Sequence, residues 1–175
     1  MTKRAAREQL WSELSWLFED DDGSLPEVRL VTSSPDATAR IFEELRRRAE
    51  PLASTQTVWH NGRKQELAVS ALPDPGALAV QGVIGPLHIV ARDIRSAGIR
   101  LPDLGVSVDP DGIAIDYRMG DTWNPSMLAA FVELLGDLFV LDPDARIDLE
   151  DFAADDVRQR FRLTVGAYLA EPPDD

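Results

Sequence analysis

The chain has 175 residues, with 31 acids against 18 bases and no cysteine, for a formal charge of −13 at pH 7. Without cysteine there is no disulfide, no thiolate nucleophile and no Cys-ligated zinc or iron–sulfur cluster. Such an acidic surface repels nucleic acid and anionic membrane. The length and a hydrophobic content of 44% suit one domain with a sizeable core, read here as a globular unit over 1–171 followed by a disordered tail at 172–175.

Residues 2–19 predict an amphipathic helix, with Thr2 as its cap and Ala6, Leu10, Leu14, Leu17 and Phe18 on one stripe. Trp11 and Trp16 fall to its sides. The run Glu19-Asp20-Asp21-Asp22-Gly23 reads as a solvated turn, because consecutive carboxylates cannot all converge on one ion. Glu27 to Val31 is a short strand. Ser34-Pro35 then supplies a cap and a first-turn proline for a helix to Glu50 that repeats apolar residues at Ala37, Ile41, Phe42, Leu45 and Ala49. Arg46, Arg47 and Arg48 suit its C-terminal dipole, and Pro51 stops it.

Thr55 to His60 and Gln65 to Ala71 flank Asn61-Gly62, a hairpin signal. With Val58 and Trp59 on opposite faces, either this sheet is covered on both sides or its loop exceeds two residues. Leu72 to Gly76 is a turn-rich connector. Residues 77–84 read as a strand, since Gly82 and Gly85 count against a helix. From Pro86 to Ala97, Leu87, Val90, Ala91, Ile94 and Ala97 follow helical spacing, with Gly98 and Ile99 as a C-terminal cap, which predicts a helix.

The centre of the chain runs from Leu104 to Leu141. Alternation of Leu104, Val106 and Val108, then Ile113, Ile115 and Tyr117, predicts a hairpin pairing 108 with 113, 106 with 115 and 104 with 117. Its expected loop is Asp109-Pro110-Asp111-Gly112, a type I turn with Gly112 left-handed. Asn124 caps the next helix with Pro125 at its first position, and only Glu133 and Asp137 are charged between Met127 and Leu141, so this helix should be buried on most sides. Asp142-Pro143 ends it. Ala145 to Glu150 alternates as a short edge strand, and a last helix from Ala153 to Ala170 turns Val157, Phe161, Val165, Tyr168 and Leu169 inward. The order implies an α+β fold: a mixed or antiparallel sheet built from two hairpins plus short strands, packed with about five helices.

Motifs for chemistry are scarce. His60 and His88 are the only histidines and belong to no His-x-x-x-His pair. There is no Gly-x-Ser-x-Gly elbow, and the glycines fit neither a Walker loop nor a dinucleotide fingerprint. No cofactor or metal site is indicated. Asp109, Asp111, Asp116 and Asp121 surround the central hairpin with Arg118 among them, a partial imitation of the Pro-Asp and Asp-x-Lys spelling of one metal-dependent nuclease class.

Charge is uneven along the chain. Residues 1–100 hold 13 bases and 14 acids, residues 101–175 hold 5 and 17, so the net charges are −1 and −12. That asymmetry predicts a non-enzymatic acidic binding protein for a basic protein partner, such as an inhibitor or immunity protein for a nuclease toxin. The expected partner-binding residues are Asp109, Asp111, Asp116, Asp121, Trp123, Asp142, Asp144, Asp148 and Glu150. The competing readings are a divalent-metal-dependent hydrolase or nuclease using the aspartates near the hairpin, a structural or adaptor subunit burying Trp11, Trp16 or Trp59, and charge serving solubility alone. Leu10 to Phe18 is too interrupted for a signal peptide and no run reaches transmembrane length, so a cytoplasmic protein without nucleic-acid or membrane partners is expected.

Overall fold

A computed structural model describes residues 3–149 and 153–171; Thr2, Glu150 and the tail at 172–175 lie outside them. The elements are α1 (Lys3–Leu14), β1 (Glu27–Val31), α2 (Pro35–Arg48), β2 (Thr57–His60), β3 (Gln65–Ala68), α3 (Pro75–Val80), β4 (Leu87–Ala91), β5 (Arg95–Ser96), β6 (Ile99–Arg100), β7 (Leu104–Asp109), β8 (Gly112–Tyr117), α4 (Pro125–Phe139), β9 (Arg146–Leu149) and α5 (Asp155–Leu169). Five strands form an antiparallel sheet in the order β4-β7-β8-β1-β9, and the pairs β2-β3 and β5-β6 form two small ribbons. The fold is α+β, as the element order implies.

β7 and β8 pair in the predicted register, Val108 with Ile113, Val106 with Ile115 and Leu104 with Tyr117. The loop differs. Asp109 pairs with Gly112, leaving only Pro110-Asp111 in the turn, and Gly112 is a strand residue outside the left-handed region. Its lack of a side chain serves another end: a Cβ there would collide with the Leu30 carbonyl of β1. Because paired residues share a face, Val28, Leu30, Leu87, Ile89, Ala91, Ile147 and Leu149 join the six hairpin residues on one side, all buried. Among the described residues this face and the inward sides of the helices form one contiguous core.

The helices begin where caps predict. Ser34 Oγ accepts from the Ala37 amide at 3.2 Å, and Asn124 Oδ1 accepts from the amides of Ser126 and Met127, both at 3.0 Å. α1 is shorter than expected, giving way at Ser15–Leu17 to a 3₁₀ turn. α4 is buried nearly all round, Ala130 included, as its near absence of charge predicts.

Two segments overturn the local reading. Residues 75–80 are helical, capped by Asp74, whose side chain accepts from the Ala77 amide at 3.0 Å. Gly82, at φ +69, follows the end of this helix, and Gly76 lets α3 approach α2, since a Cβ there would lie 2.9 Å from the Phe42 ring. The predicted helix over 86–97 is instead β4 and the β5-β6 ribbon. Leu87, Ile89 and Ala91 point inward and His88 outward, so the two-residue period prevails once β7 offers a ladder. Gly98 is not a helix cap either. Ala97 and Gly98, at φ +48 and +75, form the two-residue turn of the ribbon, as a primed turn requires. The β2-β3 hairpin resolves to the longer loop, 61–64, with Lys64 at φ +55.

Candidate functional site

The register fixes where each predicted binding residue stands. The hairpin's turn and its open end are opposite ends of β8, so Asp109 and Asp111 are separated from Asp121 by the length of the sheet. Asp116 lies between them on the outer face, and Asp148 lies on β9 at the edge.

At the turn end, the Thr32 amide donates to the Asp111 carbonyl at 2.9 Å, drawing the start of α2 to the hairpin tip. Asp142 closes the same end. Its carboxylate accepts from the Ser33 amide at 2.7 Å and the Ser33 hydroxyl at 2.8 Å, and the residue is only 4% exposed. The Ser33 amide, more than any other group, holds this carboxyl below the usual range in spite of burial. Asp142 is therefore spent inside the fold, while Asp109, Asp111 and Asp144 are exposed around it.

On the outer face, His88 Nε2 lies 2.9 Å from Asp116 Oδ2. The two side chains meet across Gly105, where a Cβ would collide with the carboxylate. Glu27 stands directly opposite Asp116 on β1, and Ser107 opposite His88 on β7. Sequence reasoning missed His88 because its strand read as a helix; the signal available was the alternation of Leu87, Ile89 and Ala91 around it. Asp148 is engaged by Arg158 through two bonds of 3.0 and 2.7 Å and by Arg162 at 3.3 Å. Arg158 foremost holds its carboxyl below the ordinary range. Glu150 lies outside the described residues. Among the described residues no three His, Asp or Glu side chains come together as a metal-ligating group.

The exit end differs from the rest. Trp123 is buried, 3% exposed, and its indole N–H donates to the Arg118 carbonyl at 2.8 Å. Its ring packs with Phe18, Tyr117 and Phe131 at centroid distances of 4.6, 5.1 and 5.7 Å, so it plugs the core and does not project. This aromatic cluster brings two distant segments together. The Gly120 amide donates to the Phe18 carbonyl at 2.8 Å, and Arg118 Nε reaches Asp21 Oδ2 at 3.2 Å. Glu19, Asp20, Asp21 and Asp22 thereby stand beside Asp121, five exposed carboxylates with Arg118 as the cation between the segments. The solvated turn at 19–22 is thus one side of a composite acidic end.

Trp16 and Trp59 are partly exposed, at 43% and 45%. No described helix is long and apolar enough to cross a membrane. Comparison with protein-family models, curated proteins and solved structures finds no match to this chain.

Proposed function

We propose that this chain is a non-enzymatic binding protein that engages a basic protein partner through the acidic end formed by residues 19–22 and 118–121. The observation that carries the reading is that the Asp21–Arg118 pair and the Gly120 to Phe18 hydrogen bond hold the Glu19–Asp22 run against the segment that carries Asp121. Carboxylates mounted on a packed aromatic cluster present their charge without much further ordering, which favours fast, oriented encounter with a cationic surface. Inhibition of a basic toxin such as a nuclease is one role for a surface of this kind, and it extends the same reading.

The test is affinity capture from the native host with the parental chain and with a variant carrying Glu19→Gln, Asp20→Asn, Asp22→Asn and Asp121→Asn. Asp21 is kept because it holds Arg118. A stoichiometric partner of high isoelectric point, released by salt and lost with the variant, supports the reading. A partner of neutral or acidic surface, or one retained equally by the variant, contradicts it.

A further inference from the structure

α1 and α5 lie side by side and antiparallel: Lys3 sits over the Tyr168 ring at 4.7 Å, and Arg160 Nη2 pairs with Glu13 Oε2 at 2.7 Å. A groove of about 480 Å³ runs between them, within the range of roughly 300–1,000 Å³ typical of binding clefts. Ala6 and Leu10 form its floor and Ala167 and Leu163 its far wall. Leu163 is 66% exposed, a large apolar side chain with little cover in the free chain.

The charged residues that line the groove, Glu13, Asp156 and Arg160, all lie at one end of it. At the end of α1, Glu13 and the exposed Asp156 face it with Arg160 between them, two carboxylates to one guanidinium. Just beyond the groove lining, the partly exposed Trp16 donates its indole N–H to the Glu13 carbonyl at 3.1 Å. From this end the chain continues through the 3₁₀ turn into Glu19–Asp22. An occupant must therefore combine an apolar face with positive charge.

We propose that the α1–α5 groove receives a basic amphipathic helix of the partner. Its apolar residues at i, i+3, i+4 and i+7 seat between Leu10, Leu163 and Ala167, as helices do in such grooves. Its basic flank meets Glu13 and Asp156 and runs on toward the acidic end. The small side chains of Ala6 and Ala167 permit close approach. This assignment rests on the acidic-binder reading and names the partner's recognition element.

The probe is a labelled synthetic helix as long as α5, of leucine, alanine and lysine with its leucines on one face, followed by fluorescence anisotropy. Two controls accompany it: the same peptide with glutamate for lysine, and a scrambled peptide of identical composition. The lysine helix should bind roughly tenfold or more tightly than either control. Ala167→Gln and Leu163→Asn alter exposed positions, so their melts should match the parental protein, and each should weaken the lysine helix by about tenfold. Parental affinity in both folded variants overturns the groove assignment. Equal binding of the scrambled peptide also overturns it, and if the four-amide variant of the acidic end then loses that binding, the acidic-binder reading stands alone. Equal binding of the glutamate helix, or no binding of the lysine helix, removes the charge complementarity and overturns the assignment.

Discussion

Asp142 and Ser33 tie the end of α4 to the start of α2, the carboxylate taking both the Ser33 amide, at 2.7 Å, and the Ser33 hydroxyl, at 2.8 Å. Charge-assisted bonds of this kind contribute about 1.5–3 kcal/mol each. Asp142→Ala removes both and should therefore cost roughly 3 kcal/mol or more in urea melts, while Asp144→Ala, two residues on and exposed, should be nearly silent. Equal costs would mean that Asp142 serves the surface and not the fold.

The pH dependence of stability follows from the same carboxylates. Asp142 and Asp148 are held below the ordinary carboxyl range when folded, by Ser33 and by Arg158. Their contribution is complete above the unfolded value near 3.9 and falls away as pH drops through the lower folded values. Tyr168 behaves oppositely. Burial first, and then the charge of Glu133, push it up to about 12, so its contribution is whole below its ordinary value of about 10 and is lost as pH rises from there toward 12. Thermal melts across pH should show an acid limb flattened in the Asp142→Asn, Asp148→Asn double variant, and an alkaline limb reduced in Tyr168→Phe. Unchanged limbs would contradict these assignments.

Gly105 makes room for the Asp116 carboxylate on its way to His88. Gly105→Ala should cost about 1–3 kcal/mol by overpacking. In an Asp116→Ala background the same change should be neutral or slightly favourable, because glycine is otherwise the poorer strand residue. A double-mutant cycle in chemical denaturation measures the coupling, and additive costs would show that the two residues do not meet.

How much of this was legible beforehand varied with the range of the deciding contacts. The β7-β8 register was readable because six alternating apolar residues flank one short turn, so the pairing and its partner sit in the same window. Over 87–97, Leu87, Val90, Ala91 and Ile94 satisfy a helical period while Leu87, Ile89 and Ala91 satisfy a strand period. A five-residue strand offers too few positions to separate them, and the arbiter, β7, lies further along the chain. Asp74-Pro75 signals α3 as Ser34-Pro35 and Asn124-Pro125 signal the longer helices, but Gly82 and Gly85, which lie beyond the end of this six-residue helix, mask it in the local pattern. For the site, the acidic bias was plain in the composition. Its assembly from 19–22 and 121 depends on Phe18 stacking with Tyr117 at 4.7 Å and packing against Trp123, contacts that no local pattern encodes.

Ser96 offers a test of opposite sign. Its residue is 5% exposed and its hydroxyl has no hydrogen-bond partner among the described residues. A desolvated hydroxyl without a partner is unfavourable, so Ser96→Ala should leave stability unchanged or raise it by up to about 1 kcal/mol. A loss of that size in an equilibrium melt would show that the hydroxyl is bonded after all.

Trp123 separates the supporting core from the docking surface. With its ring packed among Phe18, Tyr117 and Phe131, Trp123→Ala should cost roughly 3–5 kcal/mol and abolish much of the near-ultraviolet circular dichroism. Ile115→Ala, on the buried hairpin face, should cost about 2–4 kcal/mol, and Ser107→Ala on the outer face very little. A silent Trp123→Ala melt would free the indole to act as a surface anchor and contradict the packing described.

The most direct measurement of the central claim is stopped-flow association with the captured partner at two ionic strengths, comparing the two acidic ends of the sheet. Glu19→Gln, Asp20→Asn, Asp22→Asn, Asp121→Asn removes charge at the exit end, and Asp109→Asn, Asp111→Asn, Asp144→Asn removes it at the turn end. The account predicts that the first variant associates about tenfold or more slowly at low salt with a flattened salt dependence, and that the second stays near the parental rate. Equal slowing by the two variants, or a parental rate in the first at both salts, would contradict a docking surface at the exit end.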